Sequence, residues 1–222
     1  MHRPDPVARR VLDAYAAAGR RARLHTTLRW WTCPFDAVER LIPSDATVLD
    51  VGCGHGHFDM YLALTAPGRH VLGIDIDSAK VSIGTSVLTR AGLGGRVELR
   101  AVRPEWRPEP SSFDAVVVND VLYLMGRETA AEVLATSAQA VRPGGVVVVK
   151  EVGTSPAWKR RLNAAQEQLA TRVLHITAGA DLDVLPEALI ESSLSAAGLD
   201  VVSHRLDRGY PHAHVAVVGT RT

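Results

Sequence analysis

From Thr47 onward the chain alternates short runs of β-branched and aliphatic residues with polar-apolar stretches of helix length, and this alternation restricts the fold more than any other feature. Buried parallel strands read as near-continuous aliphatic runs. Each needs a crossover of about ten or more residues, most often a helix, to reach the next. The runs Thr47–Val51, His70–Ile74, Arg96–Val102, Phe113–Val118, Gly145–Lys150, Val201–Leu206 and Ala213–Gly219 are the expected strands, with helices near 56–66, 78–91, 127–141, 157–175 and 186–197. About six residues separate the last two strands, too few for a parallel crossover, so these two should form an antiparallel hairpin.

Residues 5–42 read as helical. Val7, Val11, Leu12 and Tyr15 recur at three- and four-residue steps, and Leu24, Leu28 and Trp31 continue the pattern beyond Gly19. Pro34 starts a further helix that places Phe35, Val38, Leu41 and Ile42 on one side, before Pro43-Ser44-Asp45 ends it. Residues 1–43 are therefore expected to form a helical cap on a domain occupying 44–222, with 152–185 as a helical insertion over the site. At 222 residues, 46% hydrophobic and 22% charged, the chain suits one such domain, and no apolar run approaches the roughly 20 residues of a membrane span. The start lacks the apolar core of a secretion signal, and Cys33 and Cys53 make no disulfide framework, so the cytoplasm is the expected location. A net charge of +1 disfavours a chain built to bind nucleic acid, although residues 1–30 hold seven Arg against two Asp.

The segment Val48-Leu49-Asp50-Val51-Gly52-Cys53-Gly54-His55-Gly56 places a buried strand directly before three alternating glycines and a helix. Gly52 and Gly54 permit a tight turn at which a ligand can approach the backbone, and the N–H groups opening the helix offer donors. Asp50 sharpens the pattern. A carboxylate at the strand end suits a cationic or amino-bearing ligand and would repel a pyrophosphate. The next strand ends in Asp75, 19 residues after Gly56, close to the spacing at which an acid takes ribose hydroxyls.

With these motifs the sequence resembles the class I S-adenosylmethionine-dependent methyltransferases, especially compact bacterial ones acting on small molecules, over about residues 44–222. Two further blocks carry the resemblance: Phe113-Asp114-Ala115-Val116-Val117-Val118-Asn119-Asp120-Val121-Leu122-Tyr123, similar to the fourth-strand motif, and Val141-Arg142-Pro143-Gly144-Gly145, similar to the turn into the fifth strand. The resemblance implies an α/β fold: a Rossmann-like, seven-stranded, mostly parallel sheet with a C-terminal antiparallel hairpin. It implies S-adenosyl-L-methionine as cofactor, with its methionine part on Asp50, Gly52, Cys53, Gly54 and Gly56 and its ribose on Asp75. Cys53 reads as a small filler there, since the reaction needs no thiol nucleophile. Where many relatives carry an Asp for the adenine amino group, this chain has Val102. Ile76 is then expected to pack on the ring and a backbone carbonyl near Val102 to accept from the amino group. Trp106 either stacks beside the adenine or packs in the fold.

Methyl transfer from a sulfonium is an in-line displacement in which the protein chiefly aligns the reactants and excludes water. The candidates belong on loops leaving the carboxyl ends of the parallel strands. Tyr210 and His212, with His214, lie on the last hairpin and are candidate bases or solvated loop residues. Asn119, Asp120 and Tyr123 follow the fourth strand, where Asn119 would sit beside the methionine part and Tyr123 would line the acceptor pocket or simply pack. Lys150-Glu151 closes the fifth strand, as a group positioning an amine or hydroxyl or as a solvated pair. Metal-dependent relatives acting on catechols carry an Asp-Asn pair here, so Glu151-Val152 predicts no magnesium, and His55 and His57 complete no zinc pattern. Arg20, Arg21, Arg23, Arg29, Lys159, Arg160 and Arg161, with Trp30, Trp31 and Trp158, either roof an anionic or amphiphilic acceptor or form a solvated basic face with Trp in the core.

The reading is therefore O- or N-methylation of a small molecule, with a homo-oligomer compatible with the sequence. Three rivals stand beside it. An RNA methyltransferase has only the Arg-rich start in its favour. A nicotinamide oxidoreductase conflicts with Asp50. A non-catalytic cofactor-binding protein is allowed by a fold in which no catalytic group is compulsory.

Overall fold

The computed structural model describes residues 4–152, 185–207, 209–210 and 213–222. Three helices open the chain: α1 (Pro6–Ala16), α2 (Arg20–Thr32) and α3 (Phe35–Glu39). Asp5 caps α1 by accepting the Ala8 N–H at 2.7 Å, with Pro6 in the first turn, where its missing N–H costs nothing. The sheet is built from β1 (Thr47–Val51), β2 (His70–Asp75), β3 (Val97–Ala101), β4 (Phe113–Asn119), β5 (Val141–Val152), β6 (Leu199–Arg205) and β7 (His214–Arg221). Helices α4 (His57–Thr65), α5 (Ser78–Arg90), α6 (Arg127–Ala140) and α7 (Glu187–Ala196) connect them, with a short 3₁₀ turn at Leu122–Leu124.

The strand order is β3-β2-β1-β4-β5-β7-β6. The first five strands run parallel, and β7 pairs antiparallel with both β5 and β6, so the expected seven-stranded Rossmann-like sheet with a terminal hairpin is present. Register brings the ends of β1, β2, β4 and β5 to one rim. The pairing of Val152 with His214 puts the start of β7 at that same rim, beside the end of β5.

Period-two alternation divides the core into two layers. Val48, Ala115, Val117 and Val148 face one side and pack with α1 to α5 through Val11, Tyr15, Trp30, Phe35, Leu62 and Leu88. Leu49, Val116, Val118, Val147 and Val149 face the other and pack with α6 and α7 through Leu134, Ile190 and Leu194. The three N-terminal helices thus belong to the main core.

Strand limits differ from expectation by up to four residues, most at β5. Strand β5 begins at Val141, because Val141 pairs with Phe113 before the register shifts and resumes at Val146 opposite Ala115. On α2 the apolar series Leu24, Leu28 and Trp31 faces outward, with exposures of 59%, 45% and 48%. Ala22, Thr26 and Trp30 are buried instead. The rotation follows from two large inward demands on the helix. Trp30 packs against Phe35 and Tyr61 at ring-centroid distances of 4.9 and 5.0 Å, and Arg29 reaches an ion pair under the helix. The helix expected over 157–175 lies outside the described residues. Among the described residues no helix is long and apolar enough to cross a membrane.

Arg69 locks the entrance to β1. Its fully buried guanidinium donates to Pro43 O (2.8 Å), Ile42 O (2.7 Å), Glu39 Oε1 (2.7 Å) and Thr65 Oγ1 (3.0 Å), joining α3, α4 and the start of the sheet. Replacing it by Met strands a carboxylate and two carbonyls. Arg69→Met should therefore lower the unfolding free energy by about 3–5 kcal/mol, read as a shifted urea midpoint with unchanged slope.

Candidate functional site

The turn after β1 is held by backbone bonds to the neighbouring strand. Gly52 and Cys53 both donate to Ile74 O, at 2.8 and 3.0 Å. Gly54 N–H donates to Asp75 Oδ2 at 2.8 Å, while Asp75 Oδ1 accepts from Asp77 N–H at 2.8 Å. Gly52, Gly54 and Gly56 have φ of +79°, +58° and +72°, a region that disfavours side chains. At Gly56 a Cβ would also meet Leu99 Cδ1 at 2.5 Å. Gly54 differs: a Cβ there meets nothing nearer than Lys80 Cδ at 4.0 Å, so this face of the turn is open. From above, Tyr15 of α1 donates its hydroxyl to the carbonyl of His55, clamping the turn to the first helix.

Asp50 is buried at the end of β1. Burial, partly offset by a hydrogen bond from Asp59, pushes its carboxyl up to about 7. The carboxyl of Asp59, fully buried on α4, is driven far above its usual range by burial and by the charge of Asp50. Beyond β2, Ile76 is 72% exposed. Val102 donates its N–H to Asp75 O at 2.9 Å, and its side chain packs with Trp106 against the second core layer.

At the ends of β4 and β5 lies a buried charge network. Asp120, at φ +54°, accepts from Lys150 Nζ at 2.5 Å and from Arg29 Nη1 at 2.8 Å, both on Oδ2. Its Oδ1 is buried with no hydrogen-bond partner. Burial would raise the Asp120 carboxyl, but Lys150 and Arg29 outweigh it and hold it well below the usual range. Cys33 Sγ lies 3.5 Å from Asp120 Oδ2 and 3.7 Å from Asn119 Oδ1. Burial pushes that thiol up to about 11 despite the adjacent cations. Glu151 Oε1 accepts from Leu122 N–H at 2.8 Å and Val121 N–H at 3.1 Å. Burial, with Asp120 nearby, pushes its carboxyl up to about 8. Lys150 and Glu151 are therefore an interior pair and not the solvated one allowed by the sequence, because β5 is covered on both faces.

Tyr210 is buried, at 5.7 Å from the His214 ring, and donates its hydroxyl to Asp36 Oδ1 at 3.3 Å. Burial and the Asp36 carboxylate push its phenol up, which disfavours it as a proton acceptor. His214 Nε2 is bonded to Thr32 O at 2.7 Å, so the start of β7 anchors the end of α2. His212 lies outside the described residues, as do Trp158, Lys159, Arg160 and Arg161. Tyr123, on the 3₁₀ turn, lies within electrostatic reach of Arg29.

A family model described as a methyltransferase domain matches residues 48–145, the span from the glycine turn to the opening of β5. The chain is 33% identical over 158 residues to a ubiquinone biosynthesis O-methyltransferase of Sinorhizobium medicae, covering 69% of this chain and 60% of that one. It is 28% identical over 188 residues to a trans-aconitate 2-methyltransferase of Deinococcus radiodurans, covering 81% of this chain and 69% of that one. Among solved structures it is similar to the apo form of the S-adenosylmethionine-dependent methyltransferase SibL, with TM-score 0.70 and 25% identity, covering 90% of this chain and 57% of that one. The chain spans about half to three-fifths of the length of the curated relatives it matches first. These matches support a place for the chain in the class I S-adenosylmethionine-dependent methyltransferase superfamily.

The fold gathers Asp50, Gly52, Cys53, Gly54, Gly56, Asp75 and Ile76 along one edge and places Asn119 and Tyr123 beside the neighbouring strand end. Sequence reasoning passed over Asp59, although a charge inside the run Phe58-Asp59-Met60-Tyr61-Leu62-Ala63 was a visible signal. It also missed the pairing of Arg29 with Asp120, and it missed the group formed by His25, His55 and His57. His25 lies 5.1 Å from the His55 ring and 5.8 Å from that of His57. Burial, aided by neighbouring positive charge, lowers His25 to about 4, so it is neutral at physiological pH. Among the described residues no group of three His, Cys, Asp or Glu is arranged to hold a metal ion.

Both thiols are buried, and their burial keeps them protonated. The native protein should leave Cys33 and Cys53 unmodified by a thiol-disulfide reagent at about pH 8 and expose both only on unfolding. Rapid labelling of one thiol in the native state, located by mass spectrometry, would contradict this.

Proposed function

We propose that the chain transfers the methyl group of S-adenosylmethionine to an oxygen or nitrogen of a small-molecule acceptor. The observation that carries this reading is the open glycine turn lying between two strand-end carboxylates, Asp50 and Asp75, on the carboxyl edge of a parallel sheet. The residues fit the cofactor's chemistry. Asp50 is a buried carboxylate suited to the ammonium of the methionine part, and the backbone of Gly52 to Gly56 offers close approach without side chains. Each Asp75 oxygen receives one N–H bond and keeps capacity to accept from a ribose hydroxyl. The exposed Ile76 supplies an apolar surface for the adenine, and backbone carbonyl groups near Val102 and Arg103 can accept from its amino group.

When bound, the cofactor supplies a methyl group on a positively charged sulfur, already bonded to a good leaving group. The protein's part is alignment and exclusion of water, for which proximity can contribute about 7–11 kcal/mol. Arg29 and Tyr123 stand on the acceptor side. One carboxylate, Asp120, serves two cations, Lys150 and Arg29, and the Arg29 side chain remains 25% exposed. The local excess of positive charge suits an acceptor bearing a carboxylate or phosphate. Asp120, buried and with a depressed pKa, is a weak base whose part is to hold Lys150 and Arg29 in place. Orientation or deprotonation of the acceptor is assigned to Tyr123 and to His212 of the hairpin. Helices α1 and α2 reach the rim through Tyr15 and Arg29.

Calorimetry with S-adenosylhomocysteine tests the cofactor half of the reading. Asp75→Ala should weaken binding by roughly 10–100-fold, the worth of one or two charge-assisted hydrogen bonds. Tyr123→Phe should slow turnover while cofactor affinity stays within about twofold. A screen with labelled methyl donor against metabolite extracts supplies the acceptor for that second measurement. Equal loss of cofactor binding in both variants would overturn the division of roles.

A further inference from the structure

Asp59 is fully buried on α4, and neither of its oxygens receives a hydrogen bond from the N–H or hydroxyl of any other residue, its own backbone N–H being the one donor turned toward them. A carboxylate left in that state would be very costly. The neighbouring polar group is another carboxyl, Asp50 at the end of β1, which pairs across the sheet with Gly73 of β2, where a Cβ would meet Asp59 Oδ1 at 2.5 Å; two carboxyls can satisfy each other only if a proton lies between them. The space on the Gly73 side of the pair is closed. The same Cβ would meet Leu99 Cδ2 at 2.7 Å and Cys53 Cβ at 2.9 Å, which leaves no room there for a bridging water. The charged or titratable groups facing the pair are Asp75 on β2, Arg29 on α2, Cys53 in the turn and Tyr15 on α1. Arg29 favours ionisation of Asp50, and Asp75 opposes it.

We propose that Asp59 is a positioning residue that stays protonated and donates to Asp50, making capture of the cofactor's ammonium group a proton-linked event. This rests on the cofactor reading above. Before binding, Asp50 is divided between its neutral and charged forms near neutrality. The ammonium requires the charged form, so Asp50 gives its proton to solvent as the ligand arrives, while Asp59 keeps its own. The direction follows from linkage. Asp50 is raised in the free protein, so affinity falls as pH drops through about 7, approaching tenfold per unit below it, and levels off above. Removing the Asp59 donor takes away the hydrogen bond that favours the Asp50 anion, which moves the midpoint of that profile upward. Asn at 59 keeps a donor and should keep the midpoint.

The test is calorimetry of S-adenosylhomocysteine binding between about pH 6 and 9, in buffers of differing ionisation enthalpy, with wild type, Asp59→Asn and Asp59→Leu. Expected are net proton release by the wild type below about pH 7, an unchanged profile in Asp59→Asn, and an upward-shifted midpoint in Asp59→Leu with affinity recovered at high pH. Infrared difference spectroscopy of the ligand-free protein at neutral pH gives a second readout, since Asp59→Asn should remove a protonated-carboxyl stretch. Binding with no pH dependence and no proton release, or an infrared band unaffected by Asp59→Asn, overturns this proposal and leaves the cofactor reading standing. No binding at any pH overturns both.

Discussion

Three hydrogen bonds across one strand pair hold the molecule's working edge: Gly52 and Cys53 to the Ile74 carbonyl, and Gly54 to the Asp75 carboxylate. They fix a turn in which three successive alternate residues sit at positive φ, a conformation with little reason to persist unless something outside the turn holds it. Because β1 pairs with β2 on one side and β4 on the other, whatever ends β1 is placed between the ends of its neighbours. The open face at Gly54, the position of Asp50 and the approach of Asp75 all depend on that register. Tyr15 closes the arrangement from the N-terminal side, which ties the first helix to the turn as well as to the core.

The same edge gathers buried charge, and the two carboxyl clusters there resolve the cost differently. Asp120 is paid for by two cations, and its proton is driven off. Asp50 and Asp59 have no such direct partner, and burial raises both carboxyls. Desolvation acts on both sites alike, and what distinguishes them is whether a lysine or arginine reaches the carboxylate before water is excluded. A site that leaves one carboxyl short of positive charge is suited to a ligand that brings it. A site with two cations on one carboxylate is suited to a ligand that brings negative charge.

Much of the fold was legible in local pattern. The aliphatic runs, their spacing and the short link between the last two strands led to the sheet and its antiparallel end, because strand periodicity and crossover length are properties of contiguous sequence. The glycine turn and the acids that flank it were legible for the same reason. The orientation of α2 was not: Leu24, Leu28 and Trp31 mark its helical period, yet Trp30 and Arg29 are the side chains that turn inward. Helical periodicity identifies an apolar stripe but cannot weigh it against an aromatic packing site and an ion pair contributed by distant elements. Lys150 and Glu151 likewise looked solvated, and only the covering of β5 on both faces makes them interior.

By itself the sequence determined which segments become strands and helices, where the chain makes its glycine turn, and that acids stand at the ends of the first two strands. These follow from side-chain period and turn chemistry within a few residues. Only the tertiary structure decided that Asp59 meets Asp50, that Lys150 reaches Asp120 across 30 residues and that Arg29 reaches it across 91. Those contacts depend on strand adjacency and on the exclusion of water, and ionisation in the interior is set by what surrounds a group in space, whatever its neighbours along the chain.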